Sequence, residues 1–260
     1  MGESIILTGF VASLLAGLAT GVGAIPVLLH GRPSEQQQTM LLGFAAGVML
    51  AASFFSLIIP GIEQAEALGA TRTGAAATMV AAVLLGAATL FALNAYVPVD
   101  HIALLGRPGV NLFELKRIWL FVAAITLHNF PEGMAVGVSY GAGDMQAGFA
   151  TALGIGVQNI PEGLAVAAAV ATLGYSRLFA AWIALASGLV EPVGGLFGVS
   201  LAAVSAELLP WGLGFAAGAM IYVVATEIIP ETQRSGMATR ASGGLMVGLV
   251  AMMFLDVSLG

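Results

Sequence analysis

The sequence predicts an all-α polytopic membrane protein with eight transmembrane helices and an inverted-repeat architecture. The first observation is composition: 59% of the 260 residues are hydrophobic and only 8% are charged, whereas soluble domains carry about 25% charged residues. The second is that apolar stretches of about 20 residues, long enough to span a bilayer, recur along the chain. The third is that two sequence motifs each occur twice, on different stretches.

The apolar stretches lack the period-two alternation of a membrane β-barrel, and their length favours helices. The predicted spans cover approximately residues 4–29, 39–60, 73–97, 117–140, 146–170, 177–203, 209–229 and 241–258. The first stretch has no positively charged region before it, so it is predicted as a retained helix and not as a cleaved signal peptide. Residues 1–260 are therefore interpreted as one integral membrane domain.

Basic residues predict the orientation of these spans. If the N-terminus lies outside, the cytoplasmic connections contain Arg32, Arg107, Lys116, Arg117, Arg177, Arg234 and Arg240. Only Arg72 then falls on the outer side. Because cytoplasmic loops are enriched in Lys and Arg, this asymmetry predicts that both termini are extracytoplasmic and that the loop at 98–116 is cytoplasmic.

Both repeated motifs lie on spans that run in opposite directions under this orientation. Residues 127–136 (LHNFPEGMAV) resemble residues 157–166 (VQNIPEGLAV) on spans four and five. Residues 42–49 (LGFAAGVM) resemble residues 213–220 (LGFAAGAM) on spans two and seven. We therefore expect helices 1–3 and 6–8 to form inverted repeats around a central antiparallel pair 4/5, with a substrate site near the middle of the membrane.

The first repeat contains the sequence Pro-Glu-Gly in both copies, at residues 131–133 and 161–163. These two PEG motifs and the polar residues just before them form a predicted metal site. His128 and Glu132 are four residues apart, and Asn129 and Glu132 are three apart, so both pairs share a helical face. Proline inside each motif interrupts the helical hydrogen bonds. Span five repeats the pattern with three polar side chains, namely Gln158, Asn159 and Glu162.

Carboxylates inside the spans have no basic partner at comparable depth. Glu132, Glu162 and Glu191 all lie well within predicted spans, where a carboxylate costs roughly 2.5–3.5 kcal/mol. A bound dication would compensate these charges. Imidazole together with carboxylates and amides suits Zn²⁺, Fe²⁺ or Mn²⁺ better than Ca²⁺, so the sequence predicts a metal-binding core within residues 117–203.

The paired HNFPEG and QNIPEG motifs resemble those of the ZIP family of zinc- and iron-regulated transporter-like proteins, and the similarity covers essentially the whole chain. This resemblance implies uptake of Zn²⁺, and also of Cd²⁺, Fe²⁺ or Mn²⁺, into the cytoplasm. It implies a binuclear site whose first ion is held by Met49, His128, Glu132, Gln158 and Glu162. The second ion would be held by Asn129, Glu132, Asn159, Glu162 and Glu191, with the two PEG glutamates bridging. Spans one, four, five and six would move like an elevator against spans two, three, seven and eight.

This chain departs from the family pattern in three places. Asn159 stands where some relatives have aspartate, which implies a weaker second ion site. His101 is the only histidine in the loop at 98–116, so a metal-sensing role for that loop is not expected. Thr226 precedes Glu227 where related bacterial proteins can have histidine, which weakens an exit relay at that point.

The expected partners are divalent metal ions and the lipid bilayer of a plasma membrane (the inner membrane of a bacterium), with a homodimer left open. Nucleic acid is not expected because the chain has no basic patch. The HExxH motif of zinc proteases is missing, which argues against that class of enzyme, and neither an enzymatic function nor a catalytic cofactor is expected. Two alternatives remain open: a proton- or cation-coupled transporter of another substrate, and a metal-selective channel.

Overall fold

The computed structural model describes residues 2–31, 34–95, 112–234 and 236–259, and this part of the chain is helical with no β-strand. Its α-helices are α1 (Gly2–Gly23), α2 (Ile25–His30), α3 (Glu35–Ala51), α4 (Ile59–Ala67), α5 (Arg72–Ala95), α6 (Leu112–Gly141), α7 (Met145–Thr172), α8 (Arg177–Gly188), α9 (Glu191–Val204), α10 (Leu209–Val223), α11 (Ile229–Arg234) and α12 (Ala238–Leu259). The predicted all-α class is confirmed.

Seven stretches of the described chain are long and apolar enough to cross a membrane. They are Ser4–His30, Glu35–Ala67, Arg72–Ala92, Met145–Thr172, Arg177–Val204, Ala206–Thr232 and Ala238–Ser258. Each coincides with one predicted span. Large apolar side chains point outward from them, for example Leu84 at 64% and Phe254 at 69% exposure. Such a surface is stable in lipid and would be costly in water.

Two helices begin at least four residues earlier than predicted. α3 begins at Glu35 and not near residue 39, because Ser34 and Gln37 form a capping box: the Gln37 amide donates to Ser34 Oγ, and the Ser34 amide donates to Gln37 Oε1. α6 begins at Leu112, so residues 112–116 of the predicted cytoplasmic loop are helical. The rest of that loop, with His101, lies outside the described residues.

The predicted sixth span is two helices, since α8 ends at Gly188 and α9 begins at Glu191. Pro192 is the second residue of α9. Proline has no amide hydrogen for the preceding turn, which favours a new helix start at this point. The first span breaks in the same manner at Ala24, with Pro26 as the second residue of α2.

Both copies of the LGFAAG repeat lead into a π-helical segment. α3 continues through Ala52–Ile58 into α4, and α10 continues through Val224–Ile228 into α11. Pro60 and Pro230 follow as the second residues of α4 and α11. Because a proline cannot close the α-helical hydrogen bond to the turn before it, the wider helix is accommodated there.

Glycine-mediated contacts bring the two PEG motifs to the centre of the molecule. α6 packs chiefly on α9 and α7 chiefly on α1, while α3 packs along α12 and α10 along α5. A Cβ on Gly133 would collide with the Glu191 carbonyl, and one on Gly163 with the Thr20 carbonyl. A short turn with Gly143 at φ 87° joins α6 to α7, so the motif-bearing helices form a hairpin.

Candidate metal site

Each PEG motif lies inside a helix that continues through its proline, Pro131 in α6 and Pro161 in α7. Their spacing places the polar side chains on the faces that meet at the centre of the hairpin. All eight residues predicted for the site are at most 1% exposed: Met49, His128, Asn129, Glu132, Gln158, Asn159, Glu162 and Glu191. The site is thus fully shielded within the helices that the structure describes.

One imidazole and two carboxylates converge from α6 and α7. His128 Nε2 lies 3.2 Å from Glu132 Oε1 and 3.9 Å from Glu162 Oε1. One ligand atom from each of these three residues lies within 4.8 Å of the other two. Because zinc–ligand bonds are about 2.0–2.2 Å, ligand atoms around one ion are separated by about 4 Å or less. The three side chains are therefore close to the spacing that a single ion requires.

A second group of contacts links α7 to α9 and α1. Asn159 Nδ2 donates to Glu191 Oε1 at 2.6 Å and to the Ala16 carbonyl at 2.8 Å. Glu191 is the first residue of α9, where the unpaired amides and dipole of a helix N-terminus favour negative charge. In the first group, Gln158 Nε2 donates to Glu132 Oε1. In each group, therefore, a side-chain amide of α7 donates to a carboxylate, Gln158 to Glu132 and Asn159 to Glu191.

Many buried polar atoms of the site have no hydrogen-bond partner among the described residues. They are both nitrogens of His128, both amide atoms of Asn129, Glu132 Oε2, Gln158 Oε1, Asn159 Oδ1, both oxygens of Glu162, and Glu191 Oε2. The His128–Glu132 contact is close but is not aligned as a hydrogen bond.

A cation would satisfy several of these atoms at once. A buried acceptor without a partner costs about 1–3 kcal/mol, and more if it is charged. The buried charged side chains that the structure describes are all acidic or histidine, with no Lys or Arg among them. The chemistry of the donor set, imidazole nitrogen with carboxylate and amide oxygen, therefore fits a divalent transition metal.

Met49 and Asn129 are buried, but their contacts do not assign them to either group. Met49 belongs to the same apolar core cluster as Met134 and Ala165, which follow Glu132 and Glu162 in their helices. Asn129 adjoins His128 in α6, and its amide has no partner in the described part of the chain. Metal ligation by these two residues stays a prediction, as it does for the other six.

The sequence did not indicate the part played by α1. Its contribution is a backbone carbonyl, that of Ala16, which any residue type could supply. A signal does exist in hindsight, because Leu14, Gly17 and Leu18 recur as Leu185, Gly188 and Leu189. The two glycines mark the point where α1 and α8 approach at backbone distance.

A cavity of about 540 Å³ lies between α3, α6, α7 and the second π-helical segment. Ala165, one turn after Glu162, and Leu42 of α3 lie along its wall. Thr226 and Glu227 both line the cavity, and the Thr226 hydroxyl donates to the Tyr222 carbonyl at 2.9 Å. The cavity therefore lies between the turn that follows Glu162 and the side of the molecule that holds the predicted cytoplasmic connections.

Sequence comparison agrees with this geometry. A family model described as ZIP zinc transporter matches residues 114–256, more than half of the chain. The chain belongs to the ZIP family. The family predicted from the paired PEG motifs is thus confirmed.

Relatives in the ZIP family extend over the whole chain. The zinc transporter GufA of Myxococcus xanthus is 48% identical, over 97% of this chain and 99% of the relative. The zinc transporter ZIPB of Bordetella bronchiseptica is 44% identical, over 100% of this chain and 84% of the relative. Human zinc transporter ZIP11 is 34% identical, over 100% of this chain and 99% of the relative.

Proposed function

We propose that this ZIP protein carries Zn²⁺ across the membrane into the cytoplasm through a binuclear site between α6 and α7. The observation that carries the proposal is the convergence of His128, Glu132 and Glu162 in a fully buried position. The relatives named zinc transporters support zinc as the cargo. The same donors suit Cd²⁺, Fe²⁺ and Mn²⁺, which we propose as further cargo ions.

The first ion lies between the imidazole of α6 and the PEG carboxylates of both helices. Three ligand atoms already converge there, and the side-chain oxygen of Gln158, which has no partner among the described residues, supplies a fourth. The thioether of Met49 is the proposed fifth ligand, since sulfur is a soft donor that favours Zn²⁺ and Cd²⁺ over harder ions.

The second ion lies on the α9 side of the same carboxylates. Glu132 and Glu162 bridge to it, Glu191 adds a third carboxylate, and the amides of Asn129 and Asn159 complete the shell. A neutral amide binds a dication less strongly than a carboxylate would. We therefore propose that the second ion is held more weakly than the first.

The formal charge of the site explains why the metal ion would cross the membrane together with the helices that bind it. The three buried carboxylates give the metal-free site a formal charge of −3 if all are ionised. One dication changes this to −1, and two change it to +1. Because a net charge in a low-dielectric interior is costly, a metal-loaded site moves through the membrane more easily than an ionised empty one.

We propose α6 as the eighth membrane span and an inverted repeat as the architecture around α6 and α7. Thirty residues give α6 a length of about 45 Å, enough to cross a bilayer. The packing pairs support the repeat: α6 on α9 corresponds to α7 on α1, and α3 on α12 corresponds to α10 on α5. In each pair of contacts, every helix from one half of the chain is replaced by its counterpart from the other half. Both LGFAAG copies also lead into a π-helical segment.

The same packing supports elevator-type alternating access. One group contains α1, α6, α7, α8 and α9, which hold every proposed ligand except Met49 of α3, and the other contains α3, α5, α10 and α12. Within each group, glycines allow backbone-to-backbone approach, which favours movement as rigid bodies. The cavity beside Ala165 would be the release route in the inward-facing state. The distribution of basic residues supports an orientation with both termini outside. We propose uptake through the inner membrane of a bacterium.

Reconstituted vesicles test the function directly. Uptake of Zn²⁺, Cd²⁺, Fe²⁺ and Mn²⁺ is compared between wild type, His128→Ala and Glu132→Ala, with Glu66→Ala as the matched control. Glu66 is an exposed carboxylate at the end of α4, so its loss should leave uptake within about twofold. Each site variant should lose at least about 90% of zinc uptake, since each removes one ligand of a buried ion, and removing one partner of a buried ionic contact costs about 3–5 kcal/mol.

Three outcomes would contradict parts of the proposal. Unchanged zinc uptake in both site variants would remove His128 and Glu132 from the transport site. Metal-free purified protein, combined with proton-driven uptake of another substrate, would favour the coupled transporter of a different class. A channel would instead show flux that does not saturate with zinc concentration.

A further inference from the structure

Thr20 of α1 carries a buried hydroxyl that its own helix does not satisfy. Its side chain is 1% exposed, and its Oγ1 has no hydrogen-bond partner in the part of the chain that the structure describes. Helical threonines commonly donate to the carbonyl four residues earlier. Thr89, Thr126 and Thr151 do so here at 2.7–2.9 Å. The Thr20 hydroxyl is therefore free to act elsewhere.

The carbonyl that Thr20 would ordinarily use is engaged by the metal site. That carbonyl belongs to Ala16, and it accepts the 2.8 Å hydrogen bond from Asn159 Nδ2. Residues four apart share one helical face. The face of α1 that bears Ala16 and Thr20 is consequently the face that meets the site-bearing helix α7.

The backbone of Thr20 relates to α7 as the backbone of Glu191 relates to α6. The Thr20 carbonyl lies against Gly163, the glycine of the second PEG motif. The Glu191 carbonyl lies against Gly133, the glycine of the first. At each contact, the glycine lets the two backbones come closer than any residue with a Cβ would allow. Thr20 is therefore held beside Glu162, and Glu191 beside Glu132.

The side chains of Thr20 and Glu191 show the same correspondence where α1 crosses α8. A Cβ on Gly17 would lie 3.3 Å from Glu191 Cβ, and one on Gly188 would lie 2.7 Å from Thr20 Oγ1. Thr20 and Glu191 thus flank this crossing from opposite helices. The repeat that the packing pairs support makes them equivalent positions, one carrying a hydroxyl and the other a carboxylate.

We propose that Thr20 supplies a neutral oxygen ligand to the second ion, at the position equivalent to Glu191. This inference rests on the proposed binuclear site and adds α1 to its ligand-bearing helices. A hydroxyl in place of a fourth carboxylate leaves the doubly loaded site at a formal charge of +1 instead of zero. The residue therefore keeps the second ion weakly bound and ready for release.

Zinc titration of the purified protein by isothermal calorimetry tests the inference. Thr20→Val removes the hydroxyl at nearly constant shape and should weaken the second binding step about tenfold, leaving the first within about twofold. Thr20→Ser keeps the hydroxyl and should bind both ions as wild type does. The matched control is Thr151→Val, another fully buried threonine, whose hydroxyl already donates to Ala147.

Thr20→Asp gives a gain-of-function comparison, because an added carboxylate should tighten the second step at least about tenfold and slow zinc release in vesicles. The inference is overturned if Thr20→Val and Thr151→Val titrate alike, or if Thr20→Ser weakens binding as much as Thr20→Val. If Thr20→Val does not fold, Thr20→Asp decides: tighter binding supports the ligand role, and unchanged or weaker binding overturns it. A wild-type protein that binds no zinc would instead refute the proposed function.

Discussion

Replacing Asn159 by aspartate places a second carboxylate against Glu191. The wild-type amide donates to Glu191 Oε1 at 2.6 Å, and Asn159→Asp turns this attraction into repulsion. At an effective dielectric constant of 20, two unit charges 2.6 Å apart repel by about 6 kcal/mol, and at twice that separation by about 3 kcal/mol. Since the side chains can move apart, we expect the metal-free variant to be about 3 kcal/mol less stable than wild type at a pH where both carboxylates are ionised.

Zinc should reverse this loss, because a dication between the two carboxylates replaces repulsion by attraction. We expect the second zinc ion to bind at least about tenfold more tightly to Asn159→Asp, which corresponds to about 1.4 kcal/mol. By linkage, saturating zinc should then raise the stability of the variant more than that of wild type.

Thermal unfolding with and without zinc measures both effects on one sample. Gln146→Glu is the matched control, since it adds the same charge to the exposed first turn of α7 and should change stability by less than about 0.5 kcal/mol. If metal-free Asn159→Asp is as stable as wild type and its zinc response is unchanged, the Asn159–Glu191 pair does not belong to a metal site.

Two further predictions concern packing and metal removal. Gly163→Ala should destabilise the protein by about 1–3 kcal/mol and reduce zinc binding, because its Cβ would collide with the Thr20 carbonyl. On the same helix, Gly156→Ala should not, since its Cβ would meet only Ala16 Cα at 3.8 Å; equal melting temperatures for the two variants would contradict this reasoning. A chelator should lower the melting temperature of wild type but not of Glu132→Ala, and an equal shift in both would exclude binding at Glu132.

The sequence allowed the central helices and their polar residues to be predicted because membrane burial makes polar residues conspicuous. Glu132 and Glu162 stand out in apolar spans with no basic residue at their depth, and the structure places them close to His128. The ZIP motifs and the apolar spans pointed to the same region independently. Because a charged side chain inside a membrane span is costly and rare, these two glutamates are easily recognised in the sequence.

Features that depend on the backbone could not be predicted in this way. The Ala16 carbonyl is independent of residue type, and the two-residue break between Gly188 and Glu191 barely changes the hydropathy of its span. The first turn of α6 reads as a loop because Glu114, Lys116 and Arg117 make it polar. Hydropathy reports contact with lipid, and these features depend on hydrogen bonding instead.

The π-helical segments account for a difference in length between the two LGFAAG copies. Leu42 precedes Pro60 by 18 residues, and Leu213 precedes Pro230 by 17. The π-helical segment of the first copy has 7 residues, and that of the second has 5. In an ordinary α-helix, one added residue would rotate everything beyond it by about 100°. A widened turn absorbs the addition locally, so the two halves could diverge in length without turning the outer end of either helix away from its neighbours.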